Sequence, residues 1–184
     1  MVGAILTQNT NWSNVERAIA NLKANNMLNP HIIYRCTHNR LAELIRPAGY
    51  FNIKAQRLKS FVEYFVKRYS ANIDSMGKVP TRLLREELLE VRGIGPETAD
   101  SILLYALQRP VFVVDAYTKR VLVRHRIIED VKVTYDEVQR IFHDHLPEDV
   151  QLFNEYHALF VRLGKEYCKP KPLCEGCPLS GMLE

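Results

Sequence analysis

Long apolar runs are missing from this chain of 184 residues. None approaches the roughly 18 residues that crossing a bilayer requires, and no charged segment followed by an apolar core opens the sequence. The expectation is a soluble, cytoplasmic protein without a membrane partner. Charge of one sign is not in large excess either: the formal net charge is +4. That permits nucleic-acid binding without arguing for it, so basic residues count only where they are local. Cysteine is scarce, with Cys36 far from Cys168, Cys174 and Cys177. A lone thiol such as Cys36 is most often a small buried hydrophobe. Alternating strand patterns are absent too. Only 111–114, Val-Phe-Val-Val, has strand character, and it is short and has no segment of like kind to pair with. An all-α fold is expected, and a hydrophobic content of 47% is enough for a real core in one unit, with room for two lobes.

What is there is helical periodicity. Residues 1–6 read as the middle of a buried helix with no cap before it. Apolar spacing then predicts helices over 12–24 (Val15, Ala18, Ile19, Leu22 inward), 39–45, 53–68 and 82–90. In the 53–68 helix Ala55, Leu58, Val62 and Phe65 take the inner face, and Lys54, Gln56, Arg57, Lys59 and Lys67 the outer one. Further helices run from 116 to 126 with a dense basic face, from the Thr134 cap to 145, and from Asp149 onward with Phe153, Ala158, Leu159 and Leu163 inward.

The most informative stretch is 89–122, LEVRGIGPETADSILLYALQRPVFVVDAYTKRVL. Gly93 and Gly95 allow a tight turn and close approach of a neighbour. Pro96 and Glu97 suit the first turn of a helix, whose free N–H groups attract anions such as a phosphate. An ordinary helix–helix turn has the same appearance. Asp115 is placed to cap the next helix. Gln8 reads as a loop-capping amide and Trp12 as a half-buried core residue, while His143, His145 and His157 are too scattered to suggest a metal set and default to core or surface roles.

LEVRGIGPETADSILLYA followed by VFVVDAYTKRVL resembles the helix-hairpin-helix and the Gly/Pro-rich loop with its aspartate (HhH-GPD) of the endonuclease III superfamily of DNA glycosylases. GAILTQNTNWSNVERAIANL and RPAGYFNIKAQRLKSF resemble two further segments of that family, so the likeness runs from 3 to 177. It implies a two-lobed helical glycosylase fold: a core over 1–167, with the hairpin near 88–107 and the catalytic loop near 108–118, and a cysteine loop over 168–184. It also implies a further helix ahead of the 1–6 segment, so the expectation is either a truncated sequence or a lobe built without that helix. Asp115 becomes the catalytic carboxylate, and Gln8, Trp12 and Glu97 line the base pocket. Arg92, Gly93, Ile94, Gly95 and Thr98, with Lys54, Lys119 and Arg120, become the DNA contacts. Bifunctional members carry a nucleophilic lysine where this chain has Glu97, and a carboxylate cannot form the imine. The resemblance therefore points to a monofunctional enzyme, closest in character to the 3-methyladenine DNA glycosylase III branch. Such an enzyme flips a damaged base, first an alkylated purine, out of double-stranded DNA, and the Trp12 ring suits stacking on a cationic base. It would act as a monomer near the nucleoid and need no cofactor for the chemistry. The alternatives are a glycosylase and AP lyase acting on oxidised pyrimidine, uracil or a mismatched base, with Lys119 as nucleophile, and a DNA-binding hairpin module without chemistry.

The tail resembles the family's iron–sulfur loop with a departure. Cys168, Cys174 and Cys177 are present, the first gap is five residues instead of six, and Leu183 stands where a fourth cysteine is expected. A [4Fe–4S] cluster takes four thiolates. A three-thiolate cluster, completion by Cys36, a zinc site finished by histidine or carboxylate, and an empty loop are the alternatives. A degenerate loop is the favoured one, with Lys165, Lys169 and Lys171 as further phosphate contacts.

Overall fold

The periodicity is realised as helices throughout: the computed structural model describes residues 1–182, and no strand occurs among them. Among the same residues no helix is long and apolar enough to cross a membrane. The chain divides into two units, Met1–Ile102 and Leu103–Glu184, so the cysteine tail belongs to the second unit.

The first unit holds α1 (Val2–Leu6), α2 (Trp12–Ala24), α3 (Pro30–Arg35), α4 (His38–Leu44), α5 (Phe51–Tyr69), α6 (Ile73–Gly77), α7 (Thr81–Glu90) and α8 (Pro96–Ser101). Asn11, Asn29, Thr37 and Asn72 cap α2, α3, α4 and α6 by accepting first-turn N–H groups. α5 is the central strut, packing on α1, α3 and α4 through buried Ala55, Leu58, Phe61, Val62 and Phe65. One expectation fails on this helix. Lys54, read as outward and as a phosphate contact, is 1% exposed and donates to Leu6 O at 2.9 Å and Ala48 O at 2.7 Å. These carbonyls lie at the ends of short helical turns, where no intrahelical donor remains. Lys59 likewise donates to the carbonyls of Ile33, Tyr34 and Cys36 at the end of α3. A polar residue on a helical wheel is assigned to the outside, but a lysine stem is long enough to bring its ammonium to such carbonyls.

In the turn between α7 and α8, Gly93 has φ +87° and Arg57 packs so closely on it that an added Cβ would lie 2.3 Å from Arg57 Cγ. Only glycine fits there. Behind the turn Arg85 grips fully buried Asp100 with two bonds, at 2.7 and 3.1 Å.

The helix that begins with α8 continues over Ile102–Ala106 with π-helical geometry. The second unit then holds a segment without regular structure at 108–114, α9 (Ala116–Arg124), α10 (Tyr135–His145) and α11 (Val150–Glu166). Its core gathers Leu104, Phe112, Val113, Val114, Leu122, Val138, Phe142 and Phe153. The Phe112 ring stacks on Phe142 at 3.7 Å and meets Phe153 edge-on at 5.5 Å. α9 and α11 approach closely because Gly164 faces Tyr117; a Cβ there would sit 2.3 Å from the ring.

Candidate active site

In the second unit, Asp115 stands at the N-cap of α9. Its Oδ1 accepts from the Thr118 backbone N–H at 2.7 Å and the Thr118 hydroxyl at 2.9 Å. Oδ2 faces His157 Nε2 at 3.6 Å, and both side chains are nearly closed off, 11% and 14% exposed. The other ring nitrogen of His157 is paired with the Tyr105 hydroxyl. Nε2 has no hydrogen-bond partner among the described residues. Burial pushes the Asp115 carboxyl up, but His157 and the two Thr118 donors more than offset it, so its pKa lies below the ordinary value. The Tyr105 hydroxyl is pushed up to about 12 by burial and by the Asp115 charge, so it remains a donor. The site is thus an ionised, partly enclosed carboxylate with one oxygen fixed and the other beside an imidazole. The sequence pattern does not single out His157: it lies on α11, 42 positions after Asp115, and nothing local connects the two.

The 111–114 segment leading to Asp115 is buried, yet it has no β partner among the described residues. α10 satisfies it instead: Phe112 N–H donates to His143 Nε2 at 3.2 Å, Gln139 donates to Phe112 O at 2.6 Å, and Val114 N–H donates to the Tyr135 hydroxyl at 3.2 Å. The strand character at 111–114 was real in composition but is spent on this side-chain ladder.

In the first unit, Gln8 fastens the end of α1 to the hairpin. Its amide donates to Gly93 O at 3.1 Å and Thr98 Oγ1 at 2.9 Å and accepts from Arg57 at 2.5 Å. Of the expected DNA contacts Thr98 and Ile94 are buried, and the Thr98 hydroxyl is taken by Gln8. Gly93, Gly95, Arg92 and Glu97 are exposed. Trp12 is 48% exposed, with one ring edge against Gly3 and its Nε1 donating to Glu16 at 3.0 Å.

Lys119 and Arg120, expected at the DNA, both make internal bonds. Lys119 donates to Val131 O and Val133 O, and Arg120 to Gly164 O and Cys168 O while lying over the Tyr117 ring. In the tail, Cys168 is buried and its Sγ accepts from Arg124 at 3.1 Å, Cys174 is exposed, and Cys177 is partly buried. The space these thiols line is only about 30 Å³, room for a water molecule. Among the described residues no three His, Cys, Asp or Glu side chains converge to hold a metal ion. Leu183 lies outside the described residues. The donor set described does not fit a [4Fe–4S] cluster.

The HhH-GPD superfamily of base excision DNA repair proteins matches residues 2–148. A Methanocaldococcus jannaschii protein provisionally named a DNA repair glycosylase is 51% identical over 181 residues, 97% of this chain and 81% of that one. Among solved structures, an H. pylori 3-methyladenine DNA glycosylase bound to 1,N6-ethenoadenine is 31% identical with a TM-score of 0.79, covering 90% of this chain and 83% of that one. An endonuclease III in a non-covalent DNA complex superposes with a TM-score of 0.83 over 100% of this chain and 80% of the other, at 22% identity, and shows the shared fold. With its carboxylate-capped α9, its hairpin and these relatives, the chain belongs to the HhH-GPD superfamily of base excision DNA repair proteins and is a DNA glycosylase.

Proposed function

We propose that this glycosylase is monofunctional and, acting as a monomer on double-stranded DNA, releases an alkylated purine by hydrolysis. The observation that carries the proposal is the absence of an amine at the hairpin position where a lyase needs one: Glu97 stands there, on the first turn of α8. The other amine considered, that of Lys119, is engaged with Val131 O and Val133 O and stands four positions after Asp115, on the helix that Asp115 caps. Breaking the glycosidic bond develops positive charge on the sugar, which an ionised carboxylate stabilises. Asp115, held below its ordinary pKa, meets that need at neutral pH. The same carboxylate can accept a proton from the attacking water, and His157 beside Oδ2 favours the charged form. Trp12 supports the substrate class: an exposed indole, steadied by Gly3 and Glu16, presents a π face to a flipped, electron-poor base. An ethenoadenine in the H. pylori relative accords with this class.

The test is a cleavage assay on duplexes carrying a single 3-methyladenine, 1,N6-ethenoadenine, uracil, thymine glycol or mismatched base, read with and without hot alkali. Breaks only after alkali on the alkylated bases, abolished by Asp115→Asn, are expected. Breaks without alkali, or a borohydride-trapped adduct, would overturn the monofunctional reading, and a preference for pyrimidine lesions would overturn the substrate.

A further inference from the structure

We infer that the face of α10 formed by Tyr135, Gln139 and His143 is a positioning device for the glycosylase reaction, setting where Asp115 stands by holding the backbone just ahead of it. The inference rests on the glycosylase activity but not on which base is released. Tyr135, Gln139 and His143 recur every four residues and so share one helical face. Each reaches a main-chain group of the 112–114 segment: His143 Nε2 accepts from Phe112 N–H, Gln139 donates to Phe112 O, and Tyr135 Oη accepts from Val114 N–H. Phe112 and Val114 are 0% and 2% exposed, so water does not stand in for these partners. Phe112 is thereby fixed from three sides, with both polar main-chain groups clipped to α10 and its ring stacked on Phe142 of that helix. Val114 is clipped one residue before Asp115, and Asp115 is fixed on its far side by Thr118. The carboxylate therefore sits at the junction of two anchored pieces of backbone. A partner strand would also satisfy the segment, but a helix does so through three separable side chains. These three bonds run to main-chain atoms of Phe112 and Val114, and it is through that backbone that the face acts on Asp115.

The test compares Tyr135→Phe, His143→Leu and His143→Gln with the wild type on whichever duplex of the lesion panel the wild type cleaves. Single-turnover rates at saturating enzyme, binding of a duplex with an uncleavable abasic analogue, and amide exchange at Phe112 and Val114 are read for each. Tyr135→Phe and His143→Leu are expected to lower the rate by about tenfold to a hundredfold, the scale of a small misplacement of a catalytic group, with abasic-duplex binding unchanged. Exchange should speed up at Val114 in the first and at Phe112 in the second. His143→Gln keeps an acceptor at the same reach and should restore most of the rate. A folded Tyr135→Phe and His143→Leu pair with wild-type rates would overturn the inference, as would equal losses in rate and abasic-duplex binding, or a His143→Gln no better than His143→Leu. Failure of the wild type to cleave any lesion would overturn the glycosylase activity, and the positioning role with it. Cleavage of a lesion other than an alkylated purine would overturn only the proposed substrate.

Discussion

Single residues in this protein carry two duties that different substitutions separate. Asp115 caps α9 and, in the proposed function, is the carboxylate that acts on the sugar. Asp115→Ala removes both, and loss of such a cap costs about 0.5–2 kcal/mol. Asp115→Asn keeps an N-cap acceptor and should cost less. Thermal unfolding is expected to rank wild type, Asn variant, Ala variant in falling order, with base release lost in both variants; equal activity in either would remove Asp115 from the chemistry. Because its folded pKa is depressed, the charge of Asp115 stabilises the fold above the unfolded carboxyl pKa, and that contribution fades as pH falls through the lower folded value. Lys54 has the same sign of pH dependence for a different reason, since folding disfavours its charged form. Burial first, and then the Arg57 charge, lowers its pKa from 10.5 to about 8. Between those values the unfolded chain binds more protons than the folded one, so rising pH favours the native state. Urea unfolding at pH 7.5 and 10 should show the wild type gaining stability relative to Lys54→Met. A pH-independent difference would mean that Lys54 is not desolvated as its contacts with Leu6 O and Ala48 O indicate.

Among the elements, the α7–α8 hairpin depends on a buried ion pair. Asp100 is fully buried and Arg85 binds both its oxygens. Arg85→Met withdraws that cation from a buried carboxylate, a change that costs about 3–5 kcal/mol. Denaturant unfolding measures it, and a loss under 1 kcal/mol would show that the pair is a weak surface contact. Such pairs mark the limit of what the sequence discloses. Helix positions were legible: 53–68 was expected and Phe51–Tyr69 is found, and 82–90 was expected where Thr81–Glu90 is found, because apolar spacing and the Pro80-Thr81 start are local signals. The Gly93 turn and the Asp115 cap were legible for the same reason. Lys54 and Lys59 were not, since their acceptors, 48 and 6 positions away for Lys54 and 26 to 23 for Lys59, are helix-end carbonyls that only the folded chain brings near. His157 was missed on similar grounds. Its partners Tyr105 and Asp115 are 52 and 42 positions distant, and no spacing rule links α11 to either. The strand-like 111–114 segment shows the converse: its composition was read correctly, but a helix of polar side chains took the place of a strand.

For the molecule as a whole, the question is where a net charge of +4 meets DNA. Much of the positive charge is directed at the protein's own acceptors. Arg57 holds Gln8, Lys54 and Lys59 hold helix-end carbonyls, Lys119 holds Val131 O and Val133 O, and Arg120 and Arg124 hold main-chain oxygens from Gly164 to Pro170. An ammonium seated on two carbonyls must leave them to neutralise a phosphate, and the buried or half-buried carbonyls would then lose a donor. Arg92 differs, being exposed at the hairpin beside Gly93. Counterion release makes the dependence of log K on log salt a count of phosphates neutralised, with each lost contact lowering the slope by about 0.9. Arg92→Ala is therefore expected to lower the slope by about one and to weaken damaged and undamaged duplexes alike. Lys119→Ala should leave the slope nearly unchanged while lowering the unfolding temperature. Duplex binding titrated across roughly 50 to 200 mM salt decides between them. A slope that falls for Lys119→Ala and not for Arg92→Ala would return the DNA contact to α9 and take it from the hairpin.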